Sequence, residues 1–465
     1  MISSFIIYLS SLLGSVFAFK KARFHFRHGQ YLYAFLLLIA GIVAVFSFVS
    51  NKADKIYAQS VNSVMFEPNK PLGIGKGIFP GRVVWVFDPK VANWDGGKDC
   101  WWTEENLSQS EIIRMLNVSL TSLTGQKDEI KAWDKLFRHF NLTKKGINQG
   151  YRKDQKIAIK INQNNTLRHK DTCGLNASPQ MVYALLLSLT KAAGVPQKNI
   201  TVFDASRFIS DNIFNKCHKA FPEVLFVDNV GGEGRIKATY VDNAIPYSMD
   251  NGQLANGLAS CAVEADYLID MALLKGHIGQ GVTLCAKNFY GATSINWNYR
   301  KNAHNNFNPE RSGKPHYMTF VDFLGHKDLG GKTLLFMIDG IYGARSQDGP
   351  PLIKDKWKME PFNGRWPSSL FISQDGVAID AVGIDFLRSE WPDLRDLSYC
   401  DQYLKEAALA DNPPSKTVYD PERDHIACKS LGVMEHWNNS KEKKYSRNLG
   451  KKMGIELVFK PIHLK

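Results

Sequence analysis

The stretch KIAIKINQNNTLRHKDTCGLNASPQMVYALLLSLTKAAGVPQKNITVFD, residues 156–204, decides the fold. KIAIKI (156–161) has one polar and one apolar face and reads as a strand. SPQMVYALLLSLTKAAG (178–194) carries both marks of a helix. Ser178 suits the N-cap, Pro179 the first helical position and Gly194 the C-terminal cap. ITVFD (200–204) then reads as a second strand. Strand, capped helix and strand within about 50 residues make a βαβ unit, hence parallel pairing through a right-handed crossover. The alternation continues outward. Strands are expected at Arg82–Phe87, Val224–Asp228, Tyr267–Ala272, Leu334–Ile338, Leu370–Ser373 and Glu456–Lys460, and helices at 108–125, 209–219, 375–389 and 401–410. This pattern predicts an α/β fold, a mostly parallel sheet with flanking helices, over residues 73–410. Residues 411–465, rich in Pro, Asn and Lys with one late strand, read as a C-terminal extension packed on that domain.

Ahead of the α/β domain, residues 2–19 and 31–49 contain no charged side chain. Each approaches the roughly 20 residues a helix needs to cross a bilayer. Between them lies KKARFHFRHGQ (20–30), with Lys20, Lys21, Arg23 and Arg27. Short basic loops stay in the cytoplasm, so residues 1–50 are expected to form a hairpin of two transmembrane helices. Residues 51–72 then form a tether, and the rest lies outside the cytoplasm, in the periplasm of a Gram-negative cell. The 465 residues are 44% hydrophobic and 22% charged, which excludes disordered, collagen-like and coiled-coil classes. A net charge of +13 favours acidic partners or membrane surfaces. No arginine-rich or aromatic-basic run marks a nucleic-acid binder, and none is expected as a partner. Of the seven cysteines no two form a CxxC pair, which argues against an iron–sulfur cluster, a zinc ribbon or a thioredoxin-like site.

Glycines 73, 75, 77 and 81 around Lys76 invite a phosphate-loop reading, but they precede a strand instead of joining a strand to a helix. They read as a turn. In parallel sheets ligands bind beyond the carboxyl ends of strands, where Asp204, Asp228 and Asp339 fall. The densest constellation is LLKGHIGQGVTLCAKNFYG (273–291). Lys275 and His277 flank a glycine that lets backbone approach a ligand, and Lys287 and Asn288 follow. These four are the candidates for binding an anion or transferring protons, since a lysine beside another cation has a lowered proton affinity. The competing account leaves both lysines solvated and His277 packed in its loop. In FISQDGVAIDAVGIDFL (371–387), Asp375 suits a helix cap, and Asp380 sits in an apolar stretch where a carboxylate needs a partner. Asp339, Asp375 and Asp380 are the candidates for holding a divalent metal ion, or for orienting the lysines. Pairing of Asp380 with Lys275 or Lys287 is the structural alternative. Glu435, His436, Trp437 and Arg447 suit either a sugar or anion pocket or simple packing. No GxSxG elbow supports a serine triad.

The chain resembles the bacterial and archaeal domain of unknown function 362 family. The resembling pieces are KIAIKINQN (156–164), NASPQMVYALL (176–186), VFDASR (202–207), ADYLIDMALLKGH (265–277) with TLCAKNFYG (283–291), IDGIYG (338–343) with DGPP (348–351), and ISQDGVAIDAVG (372–383). The resemblance implies an α/β domain and a candidate site, and carries no settled reaction. Some members hold a ferredoxin-like cysteine cluster that this sequence lacks. The expected function is a membrane-anchored extracytoplasmic enzyme acting on an anionic small molecule or envelope component. The alternative is a non-catalytic cell-envelope binding or scaffold protein.

Overall fold

The computed structural model describes residues 67–463 except 171, 249–255, 278–280, 295–315 and 395–396. The two expected transmembrane segments, 2–19 and 31–49, lie outside the described residues. Among the described residues no helix is long and apolar enough to cross a membrane.

The central sheet contains β1 (Arg82–Phe87), β2 (Ile157–Ile161), β3 (Ile200–Asp204), β4 (Leu225–Asp228), β5 (Ile236–Lys237), β6 (Tyr267–His277), β7 (Gly281–Val282), β8 (Thr333–Ala344), β9 (Ser369–Ser373) and β10 (Glu456–Pro461). The strand order is β10-β1-β9-β8-β6-β2-β3-β4-β5, with β7 folded back against the end of β6. Pairing is parallel throughout except that β9 is antiparallel to both neighbours and β7 to β6. The βαβ unit is present: β2 and β3 are adjacent and parallel, joined through α3 (Pro179–Lys191). Helix α3 ends three residues before the expected cap. Ala192 closes it, and Gly194, at φ 71°, turns the chain toward β3.

Two cores cover the sheet. Along β1, Val84 and Val86 face one and Val83, Trp85 and Phe87 the other, as the two-residue period of a strand requires. The first core is closed by α1 (Gln109–Thr124), α2 (Glu129–Lys145), α3 and α4 (Asp211–Ala220). The second is closed by α5 (Cys285–Asn288), α6 (Thr319–Gly325), α7 (Gly376–Glu390) and α8 (Leu397–Ala408). Helix α2 was not expected, although its signals are plain afterwards. Asp128 caps it by accepting from the Lys131 amide, Gly146 ends it at φ 70°, and Ala132, Trp133, Leu136, Phe137 and Phe140 bury one face.

The C-terminal extension contributes to the sheet itself. Strand β10 pairs with β1 over six residues, and Phe459 stacks on Trp85 at 4.1 Å. The described residues between 67 and 463 accordingly belong to one compact unit. Glu435, His436 and Trp437 are buried in this extension. Asp385 of α7 receives His436 Nδ1 at 2.7 Å, the Trp437 amide at 3.0 Å and the Tyr445 hydroxyl at 2.8 Å. His436 Nε2 lies 3.1 Å from Asp401 of α8, which also holds Arg388 at 2.9 Å. This buried ionic network fastens the extension to two helices.

Candidate functional site

Strands β8, β6, β2, β3 and β4 run parallel, so their carboxyl ends share one edge of the sheet. At that edge Lys160 of β2, Asp204 of β3 and Asn288 of α5 meet. Lys160 Nζ lies 3.3 Å from Asp204 Oδ2 and donates to Asn288 Oδ1 at 3.1 Å and to the Ile161 carbonyl at 2.6 Å. Lys160 and Asp204 are both buried, so each charge depends on the other for compensation. Asp204 also accepts from the Ser206 amide and hydroxyl and from the Gln163 amide. Gly291 is required here. A Cβ on it would sit 2.7 Å from Lys160 Nζ and 2.8 Å from Asp204 Oδ1.

These groups floor a small cleft of about 30 Å³, lined also by Asn162, His277, Lys287 and Tyr290. That volume accommodates a water or two, or one small anionic group. Lys287 Nζ stands 4.8 Å above the Tyr290 ring, a cation–π distance. Asn288 links the cleft to the core: its Nδ2 donates to Asp270 Oδ1 at 2.6 Å and to the carbonyls of Lys160 and Met271. Burial pushes the Asp270 carboxyl well above the usual range, against the Asn288 bond and the Lys160 charge. Its Oδ2 has no hydrogen-bond partner among the described residues.

Of the four residues expected to bind an anion or move protons, His277, Lys287 and Asn288 line this cleft. Lys275 does not. Strand parity puts Asp270 on the α5 face and Lys275 on the opposite one. There Lys275 is fully buried, its ammonium donating to the carbonyls of Leu175 at 3.0 Å and Gln347 at 3.2 Å. Among the described residues no carboxylate lies within ion-pair distance of it. Desolvation brings its pKa down to about 7; Asp348 opposes this, while Lys287 and Arg207 add to it. Gly276 serves a different neighbour from the expected ligand. A Cβ there would stand 2.2 Å from the Arg345 carbonyl, so the glycine admits the β8 end close to β6.

The three acids considered for a metal ion occupy three separate hydrogen-bond sets. Asp339 accepts from the Ser178 amide and hydroxyl and from the Ile341 amide, tying β8 to the start of α3. Asp375 caps α7, accepting from the amides of Val377 and Ala378, and also from those of Lys76 and Val433. Asp380 accepts from the amides of Cys285 and Ala286, capping α5, and from the Tyr403 hydroxyl. No lysine pairs with Asp380 among the described residues. Burial lifts Asp375 and Asp380 to about 6 and raises Asp339, with these donors working against it. Every carboxylate oxygen of the three already accepts from the chain. Among the described residues, the three-residue group whose potential ligand atoms all lie within 4.8 Å of one another is Asp88, Glu111 and His463.

Residues 157–385 match the model of the family described as domain of unknown function 362. This segment belongs to that family. No curated protein matches the chain. The domain of unknown function 362 segment runs from the first residue of β2 to Asp385 in α7, and holds every residue of the cleft together with Lys275, Asp339, Asp375 and Asp380. Lys160, Asn162 and Asp270 were missed as site residues. The signal for Lys160 was present: a lysine inside KIAIKI, between isoleucines that are all buried, needs a partner. Asp270 in YLID carries the same mark.

One disulfide, Cys100–Cys173, joins residues 73 apart in sequence. It ends two residues before Leu175, whose carbonyl receives Lys275. Trp101 Nε1 donates to the Cys173 carbonyl at 3.0 Å, and the Leu175 amide to Gly349 at 2.9 Å. The disulfide thus anchors the loop whose Leu175 carbonyl receives Lys275.

Proposed function

We propose that the protein is an enzyme anchored by two N-terminal transmembrane helices, acting outside the cytoplasm on an anionic small molecule or envelope component. The observation that carries this is the cleft at the carboxyl edge of the sheet, where Lys160 and Lys287 converge with His277 over one buried carboxylate. Lys160 and Lys287 bring two ammonium groups and Asp204 one carboxylate to this hollow, whose room suits the tip of a small anionic group such as a carboxylate or phosphoryl group. The remainder of the substrate stays outside it. His277 supplies an imidazole as proton donor or acceptor beside the bound anion. Lys275 acts from behind the rim as a positioning residue. It draws the Leu175 and Gln347 carbonyls together, and protonation below about pH 7 adds a charge to the region.

The test is calorimetric titration of the full-length protein in detergent with sulfate, an anion whose charge is constant over the working range. Lys287→Ala and His277→Ala are expected to keep the wild-type melting temperature and to weaken binding at least tenfold. Unchanged affinity in both variants would remove the site.

The extracytoplasmic placement rests on the two uncharged N-terminal runs, the basic loop between them and the Cys100–Cys173 bridge. Such bridges persist in oxidising compartments and are rare in the cytosol. Alkylation of denatured, unreduced protein is expected to label Cys217, Cys261, Cys285, Cys400 and Cys428 and to spare Cys100 and Cys173. Full labelling of all seven in protein from the native host would count against the placement.

A further inference from the structure

A second candidate site lies away from the carboxyl edge. It is a groove of about 900 Å³ at the opposite edge of the sheet, beside the first residues of β6 and β8 and the last turn of α2. Six lysines line it: Lys76, Lys144, Lys145, Lys327, Lys332 and Lys429. They come from the glycine-rich turn before β1, the end of α2, the approach to β8 and the C-terminal extension, so the fold gathers cations from four distant segments. Two are engaged. Lys332 pairs with Asp328 at 2.8 Å and donates to three backbone carbonyls, and Lys145 stands 5.1 Å over the Tyr267 ring. For Lys76, Lys144, Lys327 and Lys429 no carboxylate lies within ion-pair distance among the described residues.

Three carboxylates also line the groove, each accepting from a backbone amide: Asp266 from Lys156, Glu422 from Lys327 and Asp424 from Ile426. They hold their own loops, and the lining remains positive by three charges. Desolvation, and then the charge of Lys76, hold the Lys144 ammonium below the usual lysine range. Two ammonium groups that repel one another gain from an anion placed between them. The glycine-rich turn does not cradle that anion with its backbone, because the Lys76 and Ile78 amides already donate to Asp375 and Gln374. Its contribution is the Lys76 side chain.

We propose that this groove binds a phosphate-bearing polyanion, a linear molecule with two or more phosphoryl groups, at a site separate from the cleft of the carboxyl edge. The choice of phosphate follows from the cations. Among the described residues no arginine lines the groove, so the planar two-bond fit that arginine gives a carboxylate is missing there. Lysines act as point charges, and several along an extended groove suit a chain of tetrahedral, multiply charged groups.

The experiment titrates the full-length protein in detergent with inorganic tripolyphosphate, and separately with inorganic phosphate. Tripolyphosphate is expected to show one tight binding event of one equivalent, apart from weaker binding at the cleft, at least tenfold tighter than phosphate and weakening steeply with added salt. The triple variant Lys76→Gln, Lys144→Gln, Lys429→Gln is expected to lose at least tenfold in affinity in this tight event with an unchanged melting temperature, while Lys287→Gln weakens only the separate binding at the cleft and leaves the tight event in place. If the triple variant shifts in melting temperature, the single Lys76→Gln and Lys144→Gln proteins replace it, each with a loss of at least threefold expected. Absent binding, a tight event unchanged in these variants, or a tight event lost with Lys287→Gln would overturn the proposal.

Discussion

Lys275→Met is expected to stabilise the folded protein, by about 4 kcal/mol at pH 7, measured as a shift of the denaturant midpoint of the full-length chain in detergent. A lysine titrates near 10.5 when exposed, and burial brings Lys275 to about 7. Between those two values the unfolded chain binds a proton that the folded chain does not. Stability therefore rises with pH across that window, and at neutral pH and below the wild type carries the full cost of the buried ammonium. Methionine has nearly the same length and no charge. Its two lost hydrogen bonds leave no carbonyl stranded, because Asn165 Nδ2 donates to both Leu175 O, at 2.8 Å, and Gln347 O, at 3.0 Å. The gain should shrink as pH approaches 10. A variant less stable than wild type at pH 7 would show that the ammonium is not the burden described. A residue kept at such cost in the interior is of the kind found at functional sites.

His436→Ala works in the opposite direction, with an expected loss of about 3–5 kcal/mol at pH 7. The imidazolium is enclosed by Asp385 and Asp401, and against desolvation these two carboxylates raise its pKa to about 10. Removing it leaves two buried carboxylates without a shared cation, although Arg388 still holds Asp401, and Tyr445 and Trp437 still hold Asp385. The group binds a proton more tightly folded than unfolded. Its contribution is fully present below about pH 6.5 and is lost as pH rises toward 10. The Lys275 and His436 slopes thus oppose each other between about pH 7 and 10 and largely cancel in the wild type. Lys275→Met should expose a fall of stability in that window, and His436→Ala a rise. Variants whose stability curves stay parallel to the wild type there would contradict both assignments.

The βαβ core was legible because periodicity, Pro179 and the apolar strands all speak locally. The antiparallel turn of β9 was not, since an apolar strand buried on both faces carries no mark of direction. The late strand β10 was visible as a strand, but its place beside β1, 374 positions earlier at Arg82–Glu456, is set by long-range packing. In the site, the run from Lys275 to Asn288 gave three of the cleft residues. What spacing along the chain does not convey is parity: residues of one strand separated by an odd number face opposite layers. That parity puts Lys275 and Asp270 on opposite layers, while His277 reaches the cleft only from the last position of the strand. The acids at 339, 375 and 380 were readable as buried and costly. Their donors, mostly backbone amides of distant loops, have no sequence signature.

The account rests centrally on an anion site at the carboxyl edge whose strength follows the charge of Lys275. Sulfate affinity of the full-length protein, compared at pH 6 and pH 8.5 in the wild type, Lys275→Met and Lys287→Ala, tests it most directly. Wild-type binding should be tighter at pH 6, Lys275→Met should reduce that dependence, and Lys287→Ala should weaken binding at both pH values. Affinity that ignores all three changes, or that disappears only with Lys76, Lys144 and Lys429, would contradict the placement of the site.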